Sequence, residues 1–154
     1  MKQALFIAGP TASGKSALSL KLAAEMSGVI INADSMQVYK GMPIITACPS
    51  DEDVAAAPHK LYQFLDPAET CSAAFWAKRA MAEIEAAWAA DQMPIVIGGT
   101  GMYFKVLLEG IAKIPDIPED IRTAVRAECE DKGSEHIHAE LSQCDSVAAE
   151  RIFP

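Results

Sequence analysis

Gly9-Pro10-Thr11-Ala12-Ser13-Gly14-Lys15-Ser16 stands between a short apolar run and a helical pattern, and it constrains the chain more than any other stretch. It fits G-x-x-x-x-G-K-[ST], the P-loop pattern, at every fixed position. The glycines let the backbone wrap so that successive N–H groups turn inward, and the helix behind them adds its positive end. That is a site for a di- or triphosphate, with all eight residues as its candidates. Lys15 supplies a point charge to phosphate oxygens, and the Ser16 hydroxyl is the candidate ligand for Mg²⁺.

The flanking sequence supports this placement. Ala4 to Ala8 is too brief for a helix and reads as a buried strand. From Gly14 to Met26 the row Leu18, Leu22, Met26 repeats at i,i+4 among Ser19, Lys21 and Glu25, which predicts an amphipathic helix ended by Gly28. Val29-Ile30-Ile31 reads as a second strand, stopping at Asn32-Ala33-Asp34-Ser35. Residues 40–60, with Gly41, Pro43, Pro49 and Pro58, read as an irregular excursion, and Leu61–Leu65 as a possible short strand. Ser72 caps a predicted helix to about Ala90, with Ala77, Met81, Ile84 and Trp88 facing one way. Pro94–Ile97 is a further strand, running into Gly98-Gly99-Thr100-Gly101 and a short helix that ends near Gly110. This alternation predicts an α/β fold, a P-loop NTPase-like parallel sheet flanked by helices over residues 1–112. Residues 113–154 read as a small acidic helical appendage: Pro118 opens a helix carrying Ile121, Val125 and Cys129, Gly133 ends it, and Ser134 caps another.

In such a sheet the loops after the strands emerge from one edge and converge on one pocket. Asp34 then faces the P-loop instead of serving only as a turn residue. It can hold a Mg²⁺-bound water or accept a proton from a nucleophile. The Gly98-Gly99-Thr100 strand end carries no acid, unlike common P-loop ATPases, and its glycines suggest close backbone approach to a ligand. Tyr39, Trp76, Trp88, Tyr103 and Phe104 read as core. His59 reads as a surface histidine with a possible substrate-facing role, and His136 and His138, two apart, as poor metal partners for each other.

Composition narrows the partners. Thirteen Lys and Arg against twenty-one Asp and Glu give a net charge of −8 over 154 residues, so no broad basic nucleic-acid footprint exists. No apolar run approaches the ~20 residues needed to span a bilayer. The four scattered cysteines, Cys48, Cys71, Cys129 and Cys144, predict free thiols in a reducing cytoplasm. The abrupt Ile152-Phe153-Pro154 end is expected of a fragment.

The motifs together resemble the bacterial tRNA isopentenyltransferase (tRNA dimethylallyltransferase) family. They are Gly9–Ser16, Asn32-Ala-Asp-Ser-Met-Gln-Val-Tyr-Lys-Gly41, Pro58-His59, Asp66-Pro67, Ser72-Ala73-Ala74 and Gly98-Gly-Thr-Gly-Met-Tyr-Phe104 with Leu107–Gly110, in that order. The resemblance runs from Leu5 to Pro154 and covers the family's first half. It implies transfer of a dimethylallyl group from dimethylallyl diphosphate to N6 of the adenosine 3′ of the anticodon in tRNA, in the cytoplasm, with Mg²⁺. The partners implied are the tRNA anticodon loop and the prenyl diphosphate, with no membrane and no protein partner. By resemblance Asp34 is the base, with Lys15 and Thr100 also catalytic, and Ser35, Met36, Gln37, Thr100 and Arg122 join Asp34 as tRNA contacts. Residues 113–154 would begin the family's tRNA-binding region. Where the family usually reads Gly-Thr-Ala-Lys-Pro this chain has Ile45-Thr46-Ala47-Cys48-Pro49, one positive charge fewer. The rival expectations are a small-molecule kinase using ATP, an adenylate isopentenyltransferase, and a chain that binds nucleotide without turnover.

Overall fold

A computed structural model describes residues 2–112 and 117–154. The elements in chain order are β1 (Leu5–Ala8), α1 (Lys15–Met26), β2 (Gly28–Asn32), α2 (Asp51–Ala56), β3 (His59–Lys60), α3 (Ala73–Ala89), β4 (Met93–Gly98), α4 (Gly101–Glu109), α5 (Glu119–Lys132), α6 (Ser134–Cys144) and α7 (Ser146–Ala149). The chain groups into two compact units, Met1–Ile111 and Ala112–Pro154. The change of character expected at Lys113 falls outside the described residues.

The first unit is built on a parallel sheet of order β1-β4-β2-β3. β4 is central, with Ile7 level with Ile97 on one side and Asn32 level with Ile97 on the other. The three strand ends that carry the motifs therefore lie side by side. Both sheet faces are covered, which explains the unbroken apolar runs of β2 and β4. Val29, Ile31 and Val96 point toward Trp76, Ala80, Ile84 and Phe104 of α3 and α4. Ile30, Ile95 and Ile97 point the other way, toward Ala23 of α1 with Leu20 and Leu22 beside it. Trp76 is fully buried, stacks on Tyr103 at 4.2 Å, and donates from Nε1 to the Asn32 carbonyl at 2.9 Å.

Several expectations need correction. In α1 the face against the sheet is built on Ser19 and Ala23, while Leu18 and Met26 are exposed. Small residues let the helix lie close; the Ser19 hydroxyl is satisfied by the Ser16 carbonyl at 2.8 Å. Gly28 does not end α1. Ser27 takes the left-handed position (φ 49°), and Gly28 opens β2, where a Cβ would lie 2.7 Å from Ile95 Cδ1 and 2.9 Å from Ala23 Cα. In α3 the buried row is Trp76, Ala80, Ile84 and Ala87, and Met81 is exposed.

The 40–60 excursion contains α2, opened by a capping box in which Ser50 and Asp53 each bond the other's backbone. The strand expected at Leu61–Leu65 forms earlier, as His59–Lys60 beside Ile30–Ile31. Leu61 and Gln63 take φ of 63° and 46°, which break a strand, and only Leu65 bridges to Tyr39. Tyr39 and Trp88 are partly buried against the core, as expected, with the Trp88 indole donating to the Gln3 carbonyl.

In the second unit Gly133, not Ser134, occupies the N-cap of α6. His136 lies 3.2 Å from Glu128 and 3.4 Å from Glu140, whereas His138 turns to the carbonyls of Ala149 and Ile152. The four cysteines are free thiols. No described helix is long and apolar enough to cross a membrane.

Candidate phosphate and acceptor site

β1 runs into the P-loop, and Ala12 (φ 62°) and Gly14 (φ 84°) take left-handed backbone conformations that wind it. Alternation of handedness along a loop makes a concave run of N–H groups suited to anions. Lys15 folds back over the loop and donates from Nζ to the Pro10 carbonyl.

The end of β2 is fixed by a buried asparagine. Asn32 accepts from the Asp34 amide at 2.8 Å and donates to the carbonyls of Asp34 and Leu61, each at 3.0 Å. This satisfied side chain turns the backbone sharply after the sheet. Asp34 Oδ1 then accepts from the Met36 amide at 2.9 Å, leaving Oδ2 toward Gly99. From the β4 side, Thr100 Oγ1 accepts from the Ser35 amide at 2.9 Å and donates to the Ser35 hydroxyl at 3.3 Å.

Gly98, at the end of β4, has a reason other than the ligand approach expected of the glycine pair. A Cβ on Gly98 would lie 2.1 Å from the Ala33 carbonyl oxygen and 2.8 Å from the Asp34 nitrogen. Gly98 thus admits the chain's own backbone. At Gly99 the nearest atoms would be Gly9 O at 3.5 Å and Asp34 Oδ2 at 3.8 Å, ordinary contacts.

Thr11, Ala12, Lys15, Ser16, Asp34 and Gln37 share one cleft with Tyr62. Ser35, Met36 and Thr100 are not among the residues lining this cleft; Thr100 and Ser35 bond each other next to Asp34, and Met36 is exposed. Gly9, Pro10, Ser13 and Gly14 complete the loop. Arg122 belongs to the second unit, on the first turn of α5, 3.8 Å from Glu119. A neighbouring cleft shares Ser16, Gln37 and Tyr62 and adds Cys48, Asp53 and His59. The His59 ring Nδ1 meets the Ala57 carbonyl at 2.8 Å.

Tyr62 was not singled out in the sequence, and Thr46 and Ala47 entered only through the Ile45–Pro49 departure from the family pattern, not as a wall of the cleft. Tyr62 sits only three residues after His59, in the stretch expected to be a strand. Burial, followed by the nearby Cys48, Asp34 and Asp53, raises its phenol well above the usual tyrosine range. It stays a neutral hydroxyl at working pH. The oxygen donors facing the cleft, the Ser16 hydroxyl and the Asp34 carboxylate, are the kind a hard divalent cation takes.

Fold and site define a P-loop-type α/β domain with a carboxylate set in the same cleft as the loop. A family model described as IPP transferase matches residues 37–154, and the chain belongs to that family. It is 51% identical, over 99% of its length, to a tRNA dimethylallyltransferase of Methylobacterium nodulans, and 50% identical, over 97%, to that of Paramagnetospirillum magneticum. It covers 50% and 47% of those proteins, so the chain spans about half the length of these curated relatives. Among solved structures, a tRNA isopentenylpyrophosphate transferase from Bacillus halodurans is 35% identical with a TM-score of 0.71 over 100% of this chain and 51% of that one. A eukaryotic dimethylallyltransferase acting on tRNA is 32% identical, with a TM-score of 0.79 over 100% of this chain and 38% of that one.

Proposed function

We propose that this chain carries the diphosphate cradle and the proton acceptor of a tRNA dimethylallyltransferase acting in the cytoplasm. The single observation that carries this is the shared cleft of Lys15, Ser16 and Asp34. A carboxylate beside a diphosphate cradle suits an allylic diphosphate leaving group and an amine nucleophile.

In this reading the inward N–H groups of Thr11 to Ser16 and the Lys15 ammonium take up negative charge as the allylic C–O bond breaks and its electron pair goes to the diphosphate. Mg²⁺, held through the Ser16 hydroxyl, would neutralise phosphate charge when bound. The exocyclic N6 of the target adenosine is a weak nucleophile, because its lone pair is delocalised into the ring. It forms the new C–N bond at the allylic carbon, and its proton passes to Asp34. The adenosine leaves its stack to reach this cleft, in a loop already partly unpaired. Ser35, Met36, Gln37 and Thr100 belong to its surroundings, and Arg122 is offered as a further tRNA contact.

The test is Asp34→Asn in the full-length protein, with radiolabelled dimethylallyl diphosphate and substrate tRNA. The amide keeps an oxygen for the Met36 N–H, so the turn is retained. Turnover is expected to fall by about 10² to 10⁴, the range of a general base, with diphosphate binding preserved. Unchanged turnover would remove Asp34 as the proton acceptor.

A further inference from the structure

Residues 42–48 form a turn whose Thr46 and Ala47 line the cleft together with Asp34 and the P-loop. The turn is held internally by Thr46 N to Met42 O at 3.1 Å, Ala47 N to Ile44 O at 3.1 Å and Cys48 N to Pro43 O at 2.9 Å. Its tip gains nothing from burial, since Ile44 and Ile45 are 94% and 83% exposed. Among the described residues, every hydrogen bond that leaves the turn ends on Gln37. Gln37 Nε2 donates to the Thr46 carbonyl at 2.8 Å and the Ala47 carbonyl at 2.9 Å, and its own carbonyl accepts the Cys48 thiol at 3.9 Å. On the other side the Gln37 carbonyl also accepts from the Gln63 amide at 2.9 Å, anchoring the residue to the segment after β3.

A carboxamide nitrogen has two N–H bonds, and both are engaged here. The reverse orientation would set the amide oxygen against two carbonyls, so the contacts fix the flip. Gln37 Oε1 has no hydrogen-bond partner among the described residues. No enclosed side-chain oxygen or nitrogen among them lacks a partner, so Oε1 is open to solvent. Gln37 thus has no free donor for a phosphate.

We infer that Gln37 is a positioning residue that ties the 42–48 turn to the sheet and fixes the width of the cleft. This rests on the proposed transferase reading only for its kinetic consequence. The placement of the wall is separately measurable.

The experiment is amide hydrogen exchange on the full-length protein and its Gln37→Ala and Gln37→Glu variants, together with Mg²⁺–pyrophosphate binding and steady-state prenylation of tRNA. Glu keeps the length and the acceptor but removes both donors. In both variants the amides of Thr46, Ala47 and Cys48 should exchange about ten- to a hundredfold faster, as for two lost hydrogen bonds, while those of β4 keep their rates. KM for tRNA should rise by about tenfold or more for the same two bonds. Pyrophosphate affinity should stay within about twofold in Gln37→Ala, because no phosphate donor is lost, whereas the carboxylate of Gln37→Glu lies in the cleft with Lys15 and Ser16 and weakens it by charge repulsion alone. A 46–48 segment as protected in Gln37→Glu as in the parent overturns the inference, as does a pyrophosphate affinity that falls in Gln37→Ala. Loosened exchange together with a parent protein that does not prenylate tRNA would uphold the tie and reject the transferase reading instead.

Discussion

Gly98 and Gly99 are neighbours with opposite tolerances, and the difference isolates what the strand end requires. A methyl group on Gly98 meets backbone, 2.1 Å from the Ala33 oxygen, and backbone cannot swing aside as a flexible side chain can. Gly98→Ala should cost at least about 3 kcal/mol, the upper end of overpacking penalties, whereas Gly99→Ala should cost under about 1 kcal/mol. Urea unfolding of both variants checks the pair, and equal losses would contradict the close approach. Thr100 gives a second comparison. Thr100→Val keeps the shape but removes the acceptor for the Ser35 amide, at about 1–3 kcal/mol for the unmet donor, and Thr100→Ser restores it. Stability and turnover measured on both variants should move together, because the same bond positions the turn that carries Asp34. The strand-end positions of the P-loop, Asp34 and Thr100 were legible in the sequence because each follows an apolar run at a cluster of turn residues. The role of Asn32 was not. A buried asparagine and a surface turn asparagine look alike until the Leu61 carbonyl arrives from 29 residues away. Gly98 was legible as a position and misread as a reason, since a close approach can be made by a ligand or by the protein itself.

At the scale of elements, periodicity located α1, α3, α4, β1, β2 and β4 but not β3, and it misjudged which helix faces are buried. In α1 the largest residues form the most regular row, yet Ser19 and Ala23 face the sheet because the packing needs a short distance, not a large side chain. In α2 the local signal was present in Ser50-Asp51-Glu52-Asp53, where the serine and the aspartate three residues on make the box, but the surrounding prolines suggested irregular chain. That box carries a pH dependence. Hydrogen bonds from the Ser50 backbone and hydroxyl hold the Asp53 carboxyl below the usual aspartate range, with the coulombic pull of His59 a lesser cause. A depressed folded-state value means the stabilisation is complete above the unfolded value, ~3.9, and is lost as pH falls through the folded one. Amides at the start of α2 should therefore lose exchange protection below about pH 4, normalised to intrinsic rates, and Asp53→Asn should flatten that dependence. A dependence unchanged in Asp53→Asn would place its origin elsewhere.

Over the whole molecule, charge and the phosphate site point in different directions. Met1–Ile111 carries eight basic and eleven acidic side chains, and Ala112–Pro154 five and ten, so each unit is net negative. Long-range attraction for a polyanion comes from summed basic charge, and neither unit has it. In the proposed reading a pyrophosphate would be held differently, by converging N–H groups, one lysine and a cation within a few ångströms, where the distant carboxylates are screened over a Debye length of ~8 Å at physiological salt. The 154-residue chain should therefore bind Mg²⁺–pyrophosphate through the P-loop while binding tRNA no more tightly than general nonspecific association, with Kd about 10⁻⁴ to 10⁻⁶ M at physiological salt. Lys15→Ala should abolish the first and leave the second unchanged. Nanomolar tRNA binding by the same 154 residues would mean that local contacts such as Arg122 and the turn at Asp34 overcome a repulsive field, and the electrostatic argument would fall while the phosphate site stood.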